Sequence, residues 1–351
     1  MTKLIQKNAR AAILVNQRQP LVIDDICLPE FLEVGQIFVK LHTSGICGSQ
    51  LGEIDGVKGQ DRYLPHLLGH EGCGEVLQVG PGVKHVMAGD LVVLHWRTGL
   101  GIQSDSPKYQ WKGENLNAGW VTTFNSHSIV SENRCTKIPS DTDHELAALF
   151  GCAVTTGFGV IENNARLQIG ESVVIFGAGG IGLNMIQAAS LRSVYPIIAI
   201  DLIESRLNLA KEMGATHVIN SKSSNIELKL KDILGDKLLD VFIDNTGIPK
   251  FIELGYKLTS KEGRVILVGV PNEEAKLNIS SLPLHFGKYL SGSHGGECRP
   301  EKDIPRYLSY LKNKDSGLKS LVTSRFKLED INKAIQSMRD GSTVGRVMIK
   351  L

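Results

Sequence analysis

Residues 173–182 read Val-Val-Ile-Phe-Gly-Ala-Gly-Gly-Ile-Gly, and no other stretch narrows the possible folds so far. An apolar, partly β-branched run reaches Gly177, Gly179 and Gly182, then continues as Leu-Asn-Met-Ile-Gln-Ala-Ala-Ser-Leu with apolar residues at helical spacing. The pattern predicts strand, tight turn, helix. Gly177 permits the turn, Gly179 lets the backbone approach a pyrophosphate, and Gly182 lets the helix pack on the strand. The helix start, with Gly180 and Ile181, presents unpaired N–H groups to phosphate. A second apolar strand, 196–200, ends in Asp201, at the spacing where a carboxylate binds the adenosine ribose 2′-OH. A carboxylate there repels a 2′-phosphate, so NAD is favoured over NADP. Arg206, just beyond, is counted with the cofactor residues. The alternative role for Asp201 is a helix N-cap before Leu-Ile-Glu-Ser-Arg-Leu.

On either side of this fingerprint the rhythm differs. Before it, short apolar or alternating runs at 11–15, 21–23, 36–41, 74–80 and 90–94 are separated by Pro20, Pro29, Gly35, Pro81 and Gly89, which predicts a β barrel or sandwich. After a capped helix at 141–149, strands at 173–176, 197–200, 218–219, 241–244 and 265–268 alternate with helices near 180–191, 204–213, 225–234 and 249–258. That series predicts a doubly wound, mostly parallel sheet, an α/β fold. From about Ser293 the chain leaves this sheet, and a helix at 328–338 precedes a last strand at 346–351. A chain of 351 residues suggests two domains.

The 39 basic and 37 acidic side chains give a formal net charge of +2, so no electrostatic case exists for nucleic acid or an anionic membrane as partner. A small molecule is the expected partner. The opening residues contain no apolar core of a leader and no run reaches membrane-spanning length, so a cytoplasmic location is expected. Six scattered cysteines, Cys27, Cys47, Cys73, Cys135, Cys152 and Cys298, read as free thiols or metal ligands rather than disulfides.

Three further stretches carry chemistry: Gly45-Ile-Cys-Gly-Ser-Gln50, Gly69-His-Glu-Gly-Cys-Gly74 and Gly151-Cys-Ala-Val-Thr-Thr-Gly157. With the glycine fingerprint, Asp201, Gly89-Asp90, Gly214-Ala215, Val268-Gly-Val-Pro271 and Arg346 in order behind them, the chain resembles the zinc-dependent alcohol dehydrogenases of the medium-chain dehydrogenase/reductase superfamily over essentially its full length. The resemblance implies a GroES-like catalytic domain made of 1–155 and 293–351, with a Rossmann domain at 156–292 inserted. It implies one catalytic zinc held by Cys47, His70 and Cys152, with Glu71 beside the metal, and Ser49 passing a proton toward solvent. A Cys₂His set with an open fourth position is one recognised form of catalytic zinc site. Read singly, Cys47 and Cys152 are ordinary buried thiols, and Cys27, Cys73, Cys135 and Cys298 take the core-thiol role. Thr246, Val268 and Val270 end strands at the edge where dinucleotides lie, and Arg346 matches a family residue near the pyrophosphate. The implied partners are a small alcohol or carbonyl compound and a second copy of the chain, in a homodimer or homotetramer.

The implied reaction is NAD-linked interconversion of an alcohol or polyol and its aldehyde or ketone. One alternative is a biosynthetic carbonyl reductase for a phosphorylated or carboxylated substrate; another is a non-catalytic NAD-binding member. Two departures from the family pattern stand out. Gln50 replaces the usual Asp that orients and charge-balances the zinc-bound His. No cysteine lies between Cys73 and Cys135, so a four-cysteine structural site cannot form, and Tyr109 and Trp111 are expected to hold that lobe. Trp96 falls where the family lines the substrate pocket, flanked by His95 and Arg97. With Arg62 and His66, these form a candidate anion-recognising set, the alternative being a solvated charge cluster.

Overall fold

The structure, a computed structural model, describes residues 1–57, 59–312 and 317–351. The chain divides into two compact units, Met1–Cys152 with Arg299–Leu351, and Ala153–Cys298. The divisions fall at 152/153 and 298/299, where the sequence suggests 155/156 and 292/293.

The first unit is built on sheets. In hydrogen-bonded order, one consists of Cys135–Lys137, Leu91–His95, Glu71–Val79, Gln36–Ile46, Arg346–Lys350 and Val322–Lys327, with His127–Ser131 also pairing Gln36–Ile46. A second runs Glu114–Leu116, Tyr109–Trp111, Val22–Cys27, Asn8–Leu14 and His66–Leu67. The apolar alternation that marks these strands supplies their packing: Ile37, Val39, Leu41, Val76, Val92 and Leu94 close one core. Alternation also corrects one expectation. Ile26 enters the core, so the next side chain of Val22–Cys27 points outward and Cys27 is exposed rather than a core thiol.

The second unit carries a six-stranded sheet in the order His217–Asn220, Ile197–Asp201, Val173–Phe176, Leu239–Asp244, Thr259–Leu267 and Tyr289–Gly292, with every pairing parallel. Its central strands are buried on both faces, as near-continuous Val and Ile runs require. The helices Gly180–Leu191 and Pro249–Leu258 have the bounds the sequence suggests, because Gly179 and Pro249 fix their starts locally. The helix Pro300–Lys312 was not anticipated; it contains Pro305, a residue that argues against helix from sequence alone. Among the described residues no helix is long and apolar enough to cross a membrane.

Candidate functional site

In the first unit, two strand ends and a helix end bring Cys47, His70 and Cys152 together. Cys47 follows Gln36–Ile46 and is the N-cap of the helix Gly48–Asp55; His70 precedes Glu71–Val79; Cys152 follows the helix His144–Leu149. One potential ligand atom from each of the three lies within 4.8 Å of the others. Close backbone approach makes this possible: a Cβ on Gly151 would lie 2.4 Å from the Leu94 carbonyl oxygen, and one on Gly45 would lie 2.6 Å from Glu71 Oε1. Gly69 adopts φ +90° and would drive a Cβ to 2.4 Å from Thr123 Oγ1, so only glycine turns the chain into His70 there.

The donor chemistry fits zinc. Both cysteines are buried, yet the Cys47 thiol is held well below its ordinary range, first by its hydrogen bond with Cys152 and then by His70 and Arg346, against the opposing effect of burial. The thiolate is the metal-binding form. The other core thiols behave oppositely: burial pushes Cys73 up to about 12 and Cys135 higher still. Two soft sulfurs and one imidazole nitrogen, three protein donors rather than four among the described residues, are a catalytic zinc set rather than a closed structural one.

Gln50, buried in the first turn of Gly48–Asp55, touches two members of this site. Its amide oxygen accepts the Cys47 N–H at 3.2 Å, and its amide nitrogen lies against His70 Nδ1. A His that binds metal through Nε2 keeps its proton on Nδ1 and needs an acceptor there. Here the Gln50 oxygen faces Cys47 and its amide nitrogen, a donor only, faces Nδ1, so accepting an Nδ1–H requires the amide to turn and present its oxygen to His70. Ser49 is exposed beside it.

Glu71 and Arg346 face each other behind the converging donors. The Glu71 carboxylate stands outside the converging donors and forms a fully buried ion pair with Arg346. Arg346, expected beside a pyrophosphate, is 4% exposed and faces Glu71 and the Cys47 thiol. The antiparallel register explains this. Val347 pairs with Ile46, so one step further sets Arg346 across from Cys47.

His95 likewise leaves the anion-recognising set. It pairs with Glu71 across the sheet and is 1% exposed, with Nδ1 2.8 Å from the Arg97 carbonyl and Nε2 2.9 Å from Thr136 Oγ1. Nδ1 donates and Nε2 accepts, the arrangement of a neutral imidazole. Burial pushes its pKa down to about 4. The unfolded chain therefore binds the extra proton between roughly pH 6.5 and 4, so this stabilisation is complete above about 6.5 and is lost as pH falls to about 4. The loss is on the order of 3 kcal/mol, and His95→Gln is expected to flatten it in urea unfolding measured across that range. Equal pH slopes in both proteins would disprove the assignment. His66 is also committed internally, to the Asp61 carboxylate at 2.7 Å and the Leu67 carbonyl at 2.9 Å. Arg97 lies over the Trp96 ring, 5.7 Å from its centroid, and Arg62 over Tyr63.

Tyr109 and Trp111 hold the cysteine-free lobe as expected: the Tyr109 hydroxyl accepts the Ile129 N–H at 2.9 Å, and Trp111 donates to Asp24 at 2.9 Å.

In the second unit the glycines stand at the switch point of strand order, between Val173–Phe176 and Leu239–Asp244. Gly177 has φ +101°, a Cβ on Gly182 would lie 2.0 Å from the Gly177 carbonyl oxygen, and one on Gly179 would meet nothing within 4 Å. Gly182 is thus fixed by packing, while Gly179 borders open space that a dinucleotide phosphate can occupy. Gly180 and Ile181 open the helix as anticipated. Asp201 is not the cap of the following helix, which is Ile203. Its Oδ2 accepts the Ala178 N–H at 2.8 Å and lies 3.9 Å from Arg206; its Oδ1 accepts from Leu202 and Ile203. Sequence reasoning missed Asp244. Its buried carboxylate accepts from Thr246 Oγ1 at 2.6 Å and Gly247 N–H at 2.7 Å, and its carbonyl accepts from Val268. The signal available was an Asp closing an apolar strand before Thr-Gly. Val270, beyond, is exposed.

Comparison with known proteins agrees with this geometry. A family model described as an alcohol dehydrogenase GroES-like domain matches residues 33–140, and one described as a zinc-binding dehydrogenase matches 180–313. The chain is 28% identical to an S-(hydroxymethyl)glutathione dehydrogenase of Paracoccus denitrificans, covering 97% of this chain and 99% of that protein. It is 29% identical to alcohol dehydrogenase 6 of Peromyscus maniculatus, over 97% of each. Among solved structures, an alcohol dehydrogenase zinc-binding domain protein from Burkholderia ambifaria superposes with a TM-score of 0.90 at 28% identity, covering 98% of this chain and 99% of that one. Benzyl alcohol dehydrogenase from Acinetobacter calcoaceticus superposes with a TM-score of 0.89 at 27% identity, covering 99% and 100%.

Proposed function

Because the chain belongs to the zinc-dependent alcohol dehydrogenases of the medium-chain dehydrogenase/reductase superfamily, we propose that it interconverts an alcohol or polyol with its aldehyde or ketone, using NAD. The observation that carries this reading is the convergence of Cys47, His70 and Cys152. These three would hold the zinc; the absence of cysteines between Cys73 and Cys135 supports one zinc per subunit. Bound zinc supplies Lewis acidity toward the alcohol or carbonyl oxygen, and bound NAD supplies the hydride acceptor or donor.

The remaining work falls to the chain. The exposed hydroxyl of Ser49 carries the alcohol proton toward solvent. Gln50 orients His70, and Arg346 holds the Glu71 carboxylate while favouring the Cys47 thiolate. Asp201 receives the ribose hydroxyls and Gly179 leaves space for the pyrophosphate. Loss of His95 and His66 from the basic set weighs against an anionic substrate and favours a neutral alcohol.

Free cysteines with two buried at the metal site support a reducing, cytoplasmic setting. The strand Tyr289–Gly292 is the end strand of its sheet, and Leu282, Phe286 and Tyr289 near it are 65%, 67% and 48% exposed. An open strand edge with apolar neighbours supports pairing with a second copy.

Metal analysis on protein purified without added metal is expected to give near one zinc per subunit, with NAD reduction on neutral alcohols and a dimer or larger assembly by light scattering. Absence of zinc, or zinc with no turnover of neutral, polyol or anionic alcohols, would refute the reaction; a monomer would refute the pairing alone.

A further inference from the structure

The loop 96–103 follows the strand Leu91–His95 and is laced to three consecutive buried residues, Glu132, Asn133 and Arg134. Glu132 Oε2 accepts the Ile102 N–H at 2.9 Å, while its Oε1 accepts from Lys84 and His85 on a neighbouring turn. The Asn133 carbonyl accepts the Gly99 N–H at 2.8 Å. Arg134, 4% exposed, grips both ends of the loop. Its Nε and Nη2 donate to Gln103 Oε1 at 3.2 and 2.9 Å, its Nη1 donates to the Trp96 carbonyl, and its guanidinium lies 4.7 Å from the centroid of the Trp120 ring.

Trp96 is the residue this grip sets. Glu71 pairs with His95 in the last rung of the antiparallel ladder, so Trp96 and His70 adjoin that rung on two neighbouring strands. Neighbouring strands lie about 5 Å apart, which brings the two residues near each other. The indole is half-buried and packs against the core of Leu94, Val121 and Cys135. The strand ends at His95, and the carbonyl of Trp96 is held from outside the strand by Arg134. A planar guanidinium with bidentate geometry is suited to such a clasp, and an ammonium is not.

We propose that Arg134 is a positioning residue for Trp96: by holding the Trp96 carbonyl and Gln103 together it fixes the indole beside His70 and so sets the size of alcohol admitted. The inference rests on the alcohol dehydrogenase reading given above. The partners of Arg134 described above are Trp96, Gln103 and Trp120, and it acts on the site through Trp96.

The test compares Arg134→Lys and Gln103→Ala, the second removing the acceptor from an exposed side chain and leaving the core intact. Two readouts are taken: the ratio of kcat/KM for benzyl alcohol to that for 1-propanol, and the fluorine resonance of Trp96 in 5-fluorotryptophan-labelled protein, which carries three tryptophans. Both variants are expected to shift or broaden the Trp96 resonance and to change the ratio roughly tenfold, since displacements of about 1 Å cost up to about a hundredfold. In a Trp96→Ala background the effect on the ratio is expected to vanish, the signature of two residues acting as one. Equal losses on both alcohols, additivity with Trp96→Ala, or an unmoved Trp96 resonance would overturn the proposal. If the parent protein turns over neither alcohol, the enzymatic reading fails, and the fluorine spectra still decide whether Arg134 positions Trp96.

Discussion

Cys47→Ser is expected to empty the metal site and reduce kcat/KM by roughly three orders of magnitude or more. Lewis-acid stabilisation of developing charge is worth several kcal/mol, and each 1.36 kcal/mol is a factor of about ten in rate. A serine hydroxyl is not ionised at neutral pH and replaces a thiol that its neighbours, Cys152 first, hold in a metal-binding state. The substitution is nearly isosteric, so NADH binding in the second unit is expected to persist and separates site loss from unfolding. Cys27→Ser, on an exposed thiol, is the matched control and is expected to keep zinc and turnover unchanged. A Cys47→Ser protein with full zinc content and normal kcat/KM would remove Cys47 from the site.

The second large effect lies behind the metal. Arg346→Met leaves the Glu71 carboxylate, 0% exposed, without its ion-pair partner. Removing one member of a buried pair costs about 3–5 kcal/mol, because the remaining charge is stranded in a medium that solvates it poorly. For a unit of this size that corresponds to a fall in Tm on the order of 10 °C. The double variant Glu71→Gln, Arg346→Met is expected to recover much of the loss, since two neutral groups replace one stranded charge. Without Arg346, burial favours protonated Glu71, so the single variant is expected to approach the parent protein as pH is lowered. Thermal unfolding of the parent, single and double variants at two pH values checks both statements. A single variant as stable as the parent at neutral pH would show that the pair contributes nothing.

Zinc content and Tm thus report on two layers of one site, and the layers differ in how they can be read from the chain. The nucleotide-binding half was legible because its determinants are local. Gly177, Gly179 and Gly182 answer to one turn, and the strand Val173–Phe176 and helix Gly180–Leu191 are specified by residues next to each other. Asp201 was found by spacing, but its hydrogen bond to Ala178 was not, since it joins the ends of two neighbouring strands. Asp244 was missed for the same reason: its partners Thr246 and Gly247 are local, yet its burial is decided by the sheet.

At the metal, the order of motifs in the sequence nominated Cys47, His70 and Cys152 by resemblance, and their residue types stated what chemistry they could do. Roles that depend on register were beyond its reach. Arg346 lies beside Cys47 because the last strand inserts antiparallel to Gln36–Ile46 with Val347 opposite Ile46; a slip of one residue would turn its guanidinium to the other face. His95 resembled a pocket base until its pairing with Glu71 buried it and satisfied both ring nitrogens. The sequence by itself determined the turn glycines, the donor types and the alternation of strand and helix, because each is set by backbone sterics or intrinsic chemistry within a few residues. Which charges are paired, which imidazole is neutral and which wall stands beside the metal were decided only by tertiary structure, because burial and strand register bring together groups that the chain keeps far apart.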